Sequence, residues 1–210
     1  MRNPEIFRQL QEALRDPQPR RAVDFDRSPR GKAAAAVLML FTDDPDPAVT
    51  LLTRSSALRR HAGQMALPGG RQDPEDPSLV WTALREANEE TGLPAGEVEV
   101  LGSLPAVWVP ASNYDVTTVT GVWPGGELSP MDPFETEAVH AYPISTLTSP
   151  RTRVTATHPS GYRGPAFVLG EEFVWGLTAH LLDWVFDLAG WAQPWDHRRT
   201  STIPERFMRD

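Results

Sequence analysis

Cysteine is absent from the chain. Its absence excludes a disulfide framework, a thiolate metal centre and a cysteine nucleophile, so any metal must be held by oxygen or imidazole. Long apolar runs are missing as well. The longest, Ala33 to Phe41, is too short to span a bilayer, and the opening MRNPEIFRQL lacks the apolar stretch of a secretory signal. Positive charge is in deficit: a formal net charge of −8 speaks against nucleic acid and anionic membrane surfaces as partners. A small anion held locally stays compatible with that balance. The expectation is a soluble, cytoplasmic protein, and the sequence leaves a homodimer open.

Proline is abundant, 21 in 210 residues, which predicts many fixed loops and few long helices. The length and an ordinary 40% hydrophobic content suit one domain with terminal extensions. Residues 1–31 read as an amphipathic helix, with Ile6, Phe7, Leu10 and Leu14 on one face, followed by an extended linker. The domain proper is expected over 32–190, and 191–210 reads as a loose tail. Within the domain, KAAAAVLMLF and AVTLLTRS predict two buried strands around the turn TDDPDP, with a short strand near Met65 to Leu67. Further strands are expected in EVEVLGSLPAVWV, YDVTTVTGVW and AVHAYPI, and RVTATH and RGPAFVLG suggest a hairpin. EEFVWGLTAHLLDWVFDLAG reads as a buried final helix. The interspersed elements predict an α/β fold of the α+β type, a mixed sheet sandwiched between helices.

The segment LPGGRQDPEDPSLVWTALREANEETGL carries the chemistry. Asp76-Pro77 can cap and start a helix, Leu79, Val80, Ala83, Leu84 and Ala87 supply its apolar side, and Gly92 can end it. Glu86, Glu89 and Glu90 then project toward one region, because positions three and four apart share a helix face. Each like-charge pair is unfavourable by roughly 0.2 to 0.5 kcal/mol, and a divalent cation would reverse that sign. Hard carboxylates suit Mg²⁺ or Mn²⁺, and Mg²⁺ commonly pairs one or two carboxylates with substrate phosphates. Upstream, residues 47–72 contain no acid, whereas Arg54, Arg59, Arg60 and Arg71 supply positive charge to which His61 can add. An anion beside the acidic helix is favoured.

Arg85-Glu86, two residues, Glu89-Glu90, one residue, Gly92 and then Leu93 resemble the core of the box of the Nudix hydrolases. In that family a glycine, five residues, a glutamate and seven residues precede the arginine. Here Gly70 is followed after five residues by Asp76, with eight more to Arg85, and Glu75 is the alternative occupant of the acidic position. RSSALRRHAGQMALPGG in turn looks like the signature preceding the box in the coenzyme A pyrophosphatase branch, with Leu67 where that branch usually has phenylalanine. Thr118 likewise stands where the branch often has the proline of Val-Thr-Pro.

The resemblance implies a Nudix-like mixed sheet between helices and metal-dependent attack of water on a pyrophosphate. On it, Glu86 and Glu90 are the first choices as metal ligands, Glu89 is a third ligand or the base, and the Gly70 carbonyl completes the shell. Arg85 orients a glutamate. In DPFETEAV, Glu135 and Glu137 offer an alternative base, Glu135 being the candidate carried forward. Arg54, Arg59, Arg60, His61, Gln64 and Gly69 are the expected substrate-binding residues, and Trp108 and Tyr114 either stack on a base or belong to the core. The implied substrate is coenzyme A or acyl-CoA, cleaved to 3′,5′-ADP and 4′-phosphopantetheine or its acyl form. ADP-ribose, a dinucleotide coenzyme or a nucleoside triphosphate is the alternative, and a non-catalytic nucleotide-binding module the third reading.

Overall fold

A computed structural model describes residues 4–16 and 28–207; most of the expected linker lies outside the described residues. Among the described residues four helices, α1 (Pro4–Arg15), α2 (Leu79–Thr91), α3 (Ile144–Thr148) and α4 (Gly176–Leu188), accompany twelve strands. Eight of the strands form the main sheet: β1 (Ala33–Thr42), β2 (Ala48–Arg54), β3 (Met65–Ala66), β4 (Gly69–Arg71), β5 (Glu99–Ser103), β6 (Val107–Val109), β7 (Tyr114–Trp123) and β8 (Thr136–Pro143). The run is β3-β2-β1-β7-β5, with β4 also on β1, β6 on β7 and β8 on β2. β1 and β7 pair in parallel from Ala33↔Tyr114 to Thr42↔Trp123, whereas β2 and β8 are antiparallel, so the sheet is mixed.

The apolar run of β1 follows from its place between two layers. Ala36, Leu38 and Leu40 pack with Ala83, Ala87 and Leu93 of the α2 side. Met39 and Phe41, on the other face, pack with Leu10 of α1 and with Leu182 and Phe186 of α4. A strand buried on both faces has no use for polar alternation. The expected sandwich of a mixed sheet between helices is therefore the observed one.

A second sheet, β11-β10-β9-β12, was only half foreseen. β9 (Arg153–Thr157) and β10 (Arg163–Leu169) are the expected hairpin. β11 (Glu172–Val174) occupies the start of the stretch expected to be helical, and the helix begins only at Gly176. β12 (Thr200–Thr202) pairs in parallel with β9, and Ile203 and Phe207 are buried beside Val154 and Phe173. The C-terminal segment is thus an integral strand rather than a loose tail. Ile203 and Phe207 bury the apolar surface that its polar composition conceals. EVEVLGSLPAVWV likewise divides into β5 and β6, separated by Leu104, Pro105 and Ala106, with the Leu104 amide bonded to the Thr118 carbonyl.

Candidate active site

α2 places the acids. Ser78, rather than Asp76, caps the helix, its hydroxyl accepting from the Trp81 amide at 3.2 Å, and Gly92 closes it in the left-handed conformation at φ 73°. Asp76 is excluded from capping because its carboxylate is engaged elsewhere. It accepts from Arg85 Nε and from an Arg85 terminal nitrogen at 3.0 Å each, from the Thr82 hydroxyl at 2.9 Å and from the Asp73 amide at 3.0 Å. The Arg85 hydrogen bonds bring the carboxyl from 3.8 down to about 2, against the burial that opposes them. Glu75 is exposed. Asp76 therefore occupies the acidic position that the spacing left open, and the extra residue is taken up in the loop.

Arg85 is the hub. Beyond Asp76 it contacts Glu86 and Glu89 at 2.9 Å each and donates to the Arg71 carbonyl at 3.3 Å. Hydrogen bonding to Asp76, ahead of the charges of Glu86 and Glu89, holds its guanidinium well above the usual range, so it stays charged. Burial raises the Glu86 carboxyl, with Arg85 pulling the other way.

Strand β4 lies against the acids. Gly69 donates its amide to Glu90 Oε2 at 2.8 Å. A side chain at Gly69 would meet the Ala36 carbonyl oxygen at 2.3 Å, and one at Gly70 would meet the Glu86 carboxyl carbon at 2.4 Å. Two glycines are what allow the strand to approach both β1 and α2. Glu90 is raised from 4.5 to about 7 by burial, opposed by the Gly69 amide. The charges of Glu86 and Glu135 push it further up, and that of Arg54 pulls it down. Glu86, Glu89, Glu90, Gly69 and Gly70 thus converge, with Arg54 and Glu135 close enough to act on Glu90.

The remaining expected residues lie apart from this group. Arg59 and Arg60 are exposed on the loop after β2. His61, at φ 55°, turns Nδ1 to the Gln64 side-chain oxygen at 3.3 Å, and Gln64 donates to the Phe207 carbonyl at 3.3 Å. Trp108 donates to Asn113 at 3.0 Å and lies under the Arg30 guanidinium at 4.1 Å, so its ring is already covered. Sequence reasoning missed Thr82, which has no distinguishing signal, and the C-terminal anchor of Gln64, whose only signal was Phe207 in a polar stretch.

Among the described residues no three acidic or imidazole groups form a ready cage for an ion. The Arg85 guanidinium stands between Glu86 and Glu89. The donor set still fits a hard divalent cation: carboxylate oxygens on one helix, a half-buried acid whose burial outweighs the amide and the arginine that favour its charge, and a strand with no side chain to obstruct approach. Such ions commonly take one or two protein carboxylates and complete the shell with substrate phosphates and water.

A helix of carboxylates under a Gly-Gly strand, faced by an arginine, defines a site for anionic phosphate chemistry. The NUDIX domain family matches residues 32–163. The chain is 36% identical over 169 residues to the uncharacterized Nudix hydrolase NudL of Photorhabdus laumondii, covering 79% of this chain and 87% of the relative. It is 38% identical over 151 residues to the protein of the same description from Yersinia pestis, covering 70% and 75%. A solved MutT/nudix family protein from Enterococcus faecalis shares the fold at a TM-score of 0.50 and 17% identity, over 84% of this chain and 71% of that one. The chain belongs to the Nudix family of hydrolases. It is an enzyme acting on phosphoric anhydrides, and its family binds small nucleotide substrates and generally uses divalent cations.

Proposed function

We propose that the chain is a Mg²⁺- or Mn²⁺-dependent pyrophosphohydrolase that cleaves coenzyme A or acyl-CoA to 3′,5′-ADP and 4′-phosphopantetheine or its acyl form. The supporting observation is the continuity of positive charge: Arg54 acts on Glu90 at the site, and the acid-free loop leading from it carries Arg59 and Arg60 exposed. A substrate with a pyrophosphate and a separate 3′-phosphate matches two such cationic stations. The alternatives, ADP-ribose, a dinucleotide coenzyme and a nucleoside triphosphate, lack the pantetheine arm.

Glu86 and Glu90, with Glu89 and the Gly70 carbonyl, would hold the cation. When bound, it supplies charge neutralisation and a lowered pKa of the attacking water. Arg54 binds and orients the pyrophosphate. Water oxygen forms the new bond to phosphorus, the bridging P–O bond breaks with its electron pair leaving on the departing phosphoryl oxygen, and the water proton passes to a carboxylate. Glu89 and Glu135 are the two candidate acceptors. Glu89 is exposed and oriented by Arg85, and Glu135 is exposed across the site. Arg85 positions Glu86 and Glu89 and is itself positioned by Asp76.

Mass spectrometry after incubation with coenzyme A and Mg²⁺ tests the reading, with ADP-ribose, a dinucleotide coenzyme and a nucleoside triphosphate at matched concentration. Release of both products with coenzyme A preferred is expected. A clear preference for a compound without the pantetheine arm refutes the substrate, and hydrolysis of none refutes the reaction.

A further inference from the structure

Two buried polar atoms where the end of β2 meets β8, the place from which Arg54 acts on Glu90, have no partner among the described residues: Arg54 Nε and the Thr136 hydroxyl. Thr136 is only 1% exposed. A donor left buried and unpaired is costly, so two side by side call for an occupant. They are side by side by construction. In the β2–β8 ladder Arg54 stands directly opposite Thr136, and directly opposite residues of an antiparallel pair share a face.

That juxtaposition depends on a bulge. Thr53 pairs with Ala138, so a regular ladder would set Glu137 opposite Arg54, where the two would form an ion pair. The register shifts between Thr53 and Arg54, and Thr136 takes the place instead. Glu137 is turned to the Ser56 amide at 3.3 Å. The bulge thus withholds a carboxylate from Arg54 and supplies a second donor. The loop entering β8 is held fast, since Glu135 and Thr136 both donate backbone amides to the Asp132 carbonyl at 3.0 and 2.9 Å. Ser55 in turn donates to the Glu135 carbonyl at 2.9 Å, tying this loop to the end of β2. The guanidinium nitrogen only donates and the hydroxyl can donate to the same partner, a pair that suits an oxygen carrying negative charge.

We propose that Arg54 Nε and the Thr136 hydroxyl form a two-donor seat for one non-bridging phosphoryl oxygen of the substrate pyrophosphate. This rests on the reading of the site as a pyrophosphate site and adds Thr136 as a substrate-binding residue. The two donors fix the orientation of the pyrophosphate relative to α2. Thr136→Val keeps the shape and removes the donor; Thr136→Ser keeps the donor.

The test measures thermal stability, KM and kcat on whichever pyrophosphate the wild type cleaves, and calorimetric affinity for methylenediphosphonate with Mg²⁺. For Thr136→Val the expected result is stability equal to or above wild type and diphosphonate binding weaker by about tenfold to a hundredfold, the worth of one hydrogen bond to a charged acceptor. Thr136→Ser is expected to restore affinity to near the wild-type value. Diphosphonate affinity unchanged in Thr136→Val overturns the seat, as does loss of stability without loss of affinity, which marks a structural water. Failure of the wild type to bind diphosphonate also overturns it. If diphosphonate binding depends on Thr136 while no pyrophosphate compound is cleaved, the seat stands and the proposed reaction falls.

Discussion

Arg85 has a double task, holding the loop before α2 and steering two acids upon it, and Asp76 determines which of them it can perform. Four donors converge on that buried carboxylate. Asp76→Asn keeps the shape and loses the charge, so Arg85 is expected to drift toward Glu86 and Glu89 and turnover to fall about tenfold to a hundredfold. The pH dependence has a definite sign. The folded value of about 2 lies below the ordinary 3.8, so the stabilisation is fully present above about pH 4 and is lost as pH falls through 2. Acid unfolding followed by circular dichroism should show the gap between wild type and Asp76→Asn narrowing between those limits. A constant gap would contradict the assignment. Glu90 acts in the opposite direction. Burial raises it, so its charge destabilises the metal-free fold as pH rises through about 7. Glu90→Gln, which can still accept from Gly69, is expected to melt a few degrees higher than wild type at pH 8 without metal, at about 2 to 4 °C per kcal/mol. It should lose the melting shift produced by Mg²⁺ and more than about a hundredfold in turnover. A metal-dependent shift of wild-type size in Glu90→Gln would remove it from the ligand set.

Among the elements, β4 and α2 form one unit, because each glycine of the strand meets a different neighbour. At Gly70 the obstruction is the Glu86 side chain, which can move; at Gly69, itself at φ 153°, it is the Ala36 carbonyl oxygen, which cannot move without breaking the β1 ladder. Gly70→Ala is therefore expected to fold with a melting temperature near wild type and a displaced, poorly active Glu86. Gly69→Ala is expected to lose the soluble fold. Equal stability of the two variants would show that the strand has slack. The helix of this unit was legible because periodicity of 3.6 and a glycine stop are local signals, whereas β4 was not, because two glycines read locally as a turn and only pairing with β1 makes them a strand. The loop between them was not: whether Asp76 or Glu75 meets Arg85 depends on how an extra residue is accommodated. The bulge opposite Arg54 was invisible for a related reason, since DPFETEAV offers Glu135, Thr136 and Glu137 with nothing local to say which one is skipped. β11 was read as helix because its apolar residues adjoin those of α4, and only pairing with β10 distinguishes them.

For the molecule as a whole, the second sheet reaches back to the loop that follows β2. The sequence hid this connection, because Phe207 sits among polar residues whose partners are far away in the chain. β12 is carried on β9, Ile203 and Phe207 fill the core of that sheet, and the Phe207 carbonyl accepts from Gln64. The ring of Phe207 also lies under Gly63, next to the loop that presents Arg59 and Arg60. The loop is therefore braced by a segment more than a hundred residues away, which fixes the base from which its exposed arginines project. Phe207→Ala removes the brace and opens a cavity, a change that commonly costs about 3 to 5 kcal/mol in a core. If bracing matters for substrate capture, KM should rise by several-fold while kcat on the bound substrate changes little, because the carboxylates of α2 rest on the other sheet. Phe207→Leu, which refills most of the space, should recover KM along with stability. Thermal melts and initial-rate kinetics at two ionic strengths give the discrimination. An increase in KM that is larger at low salt ties the effect to the arginines, whereas a fall in kcat at constant KM would place the effect in α2 and refute a role confined to the loop.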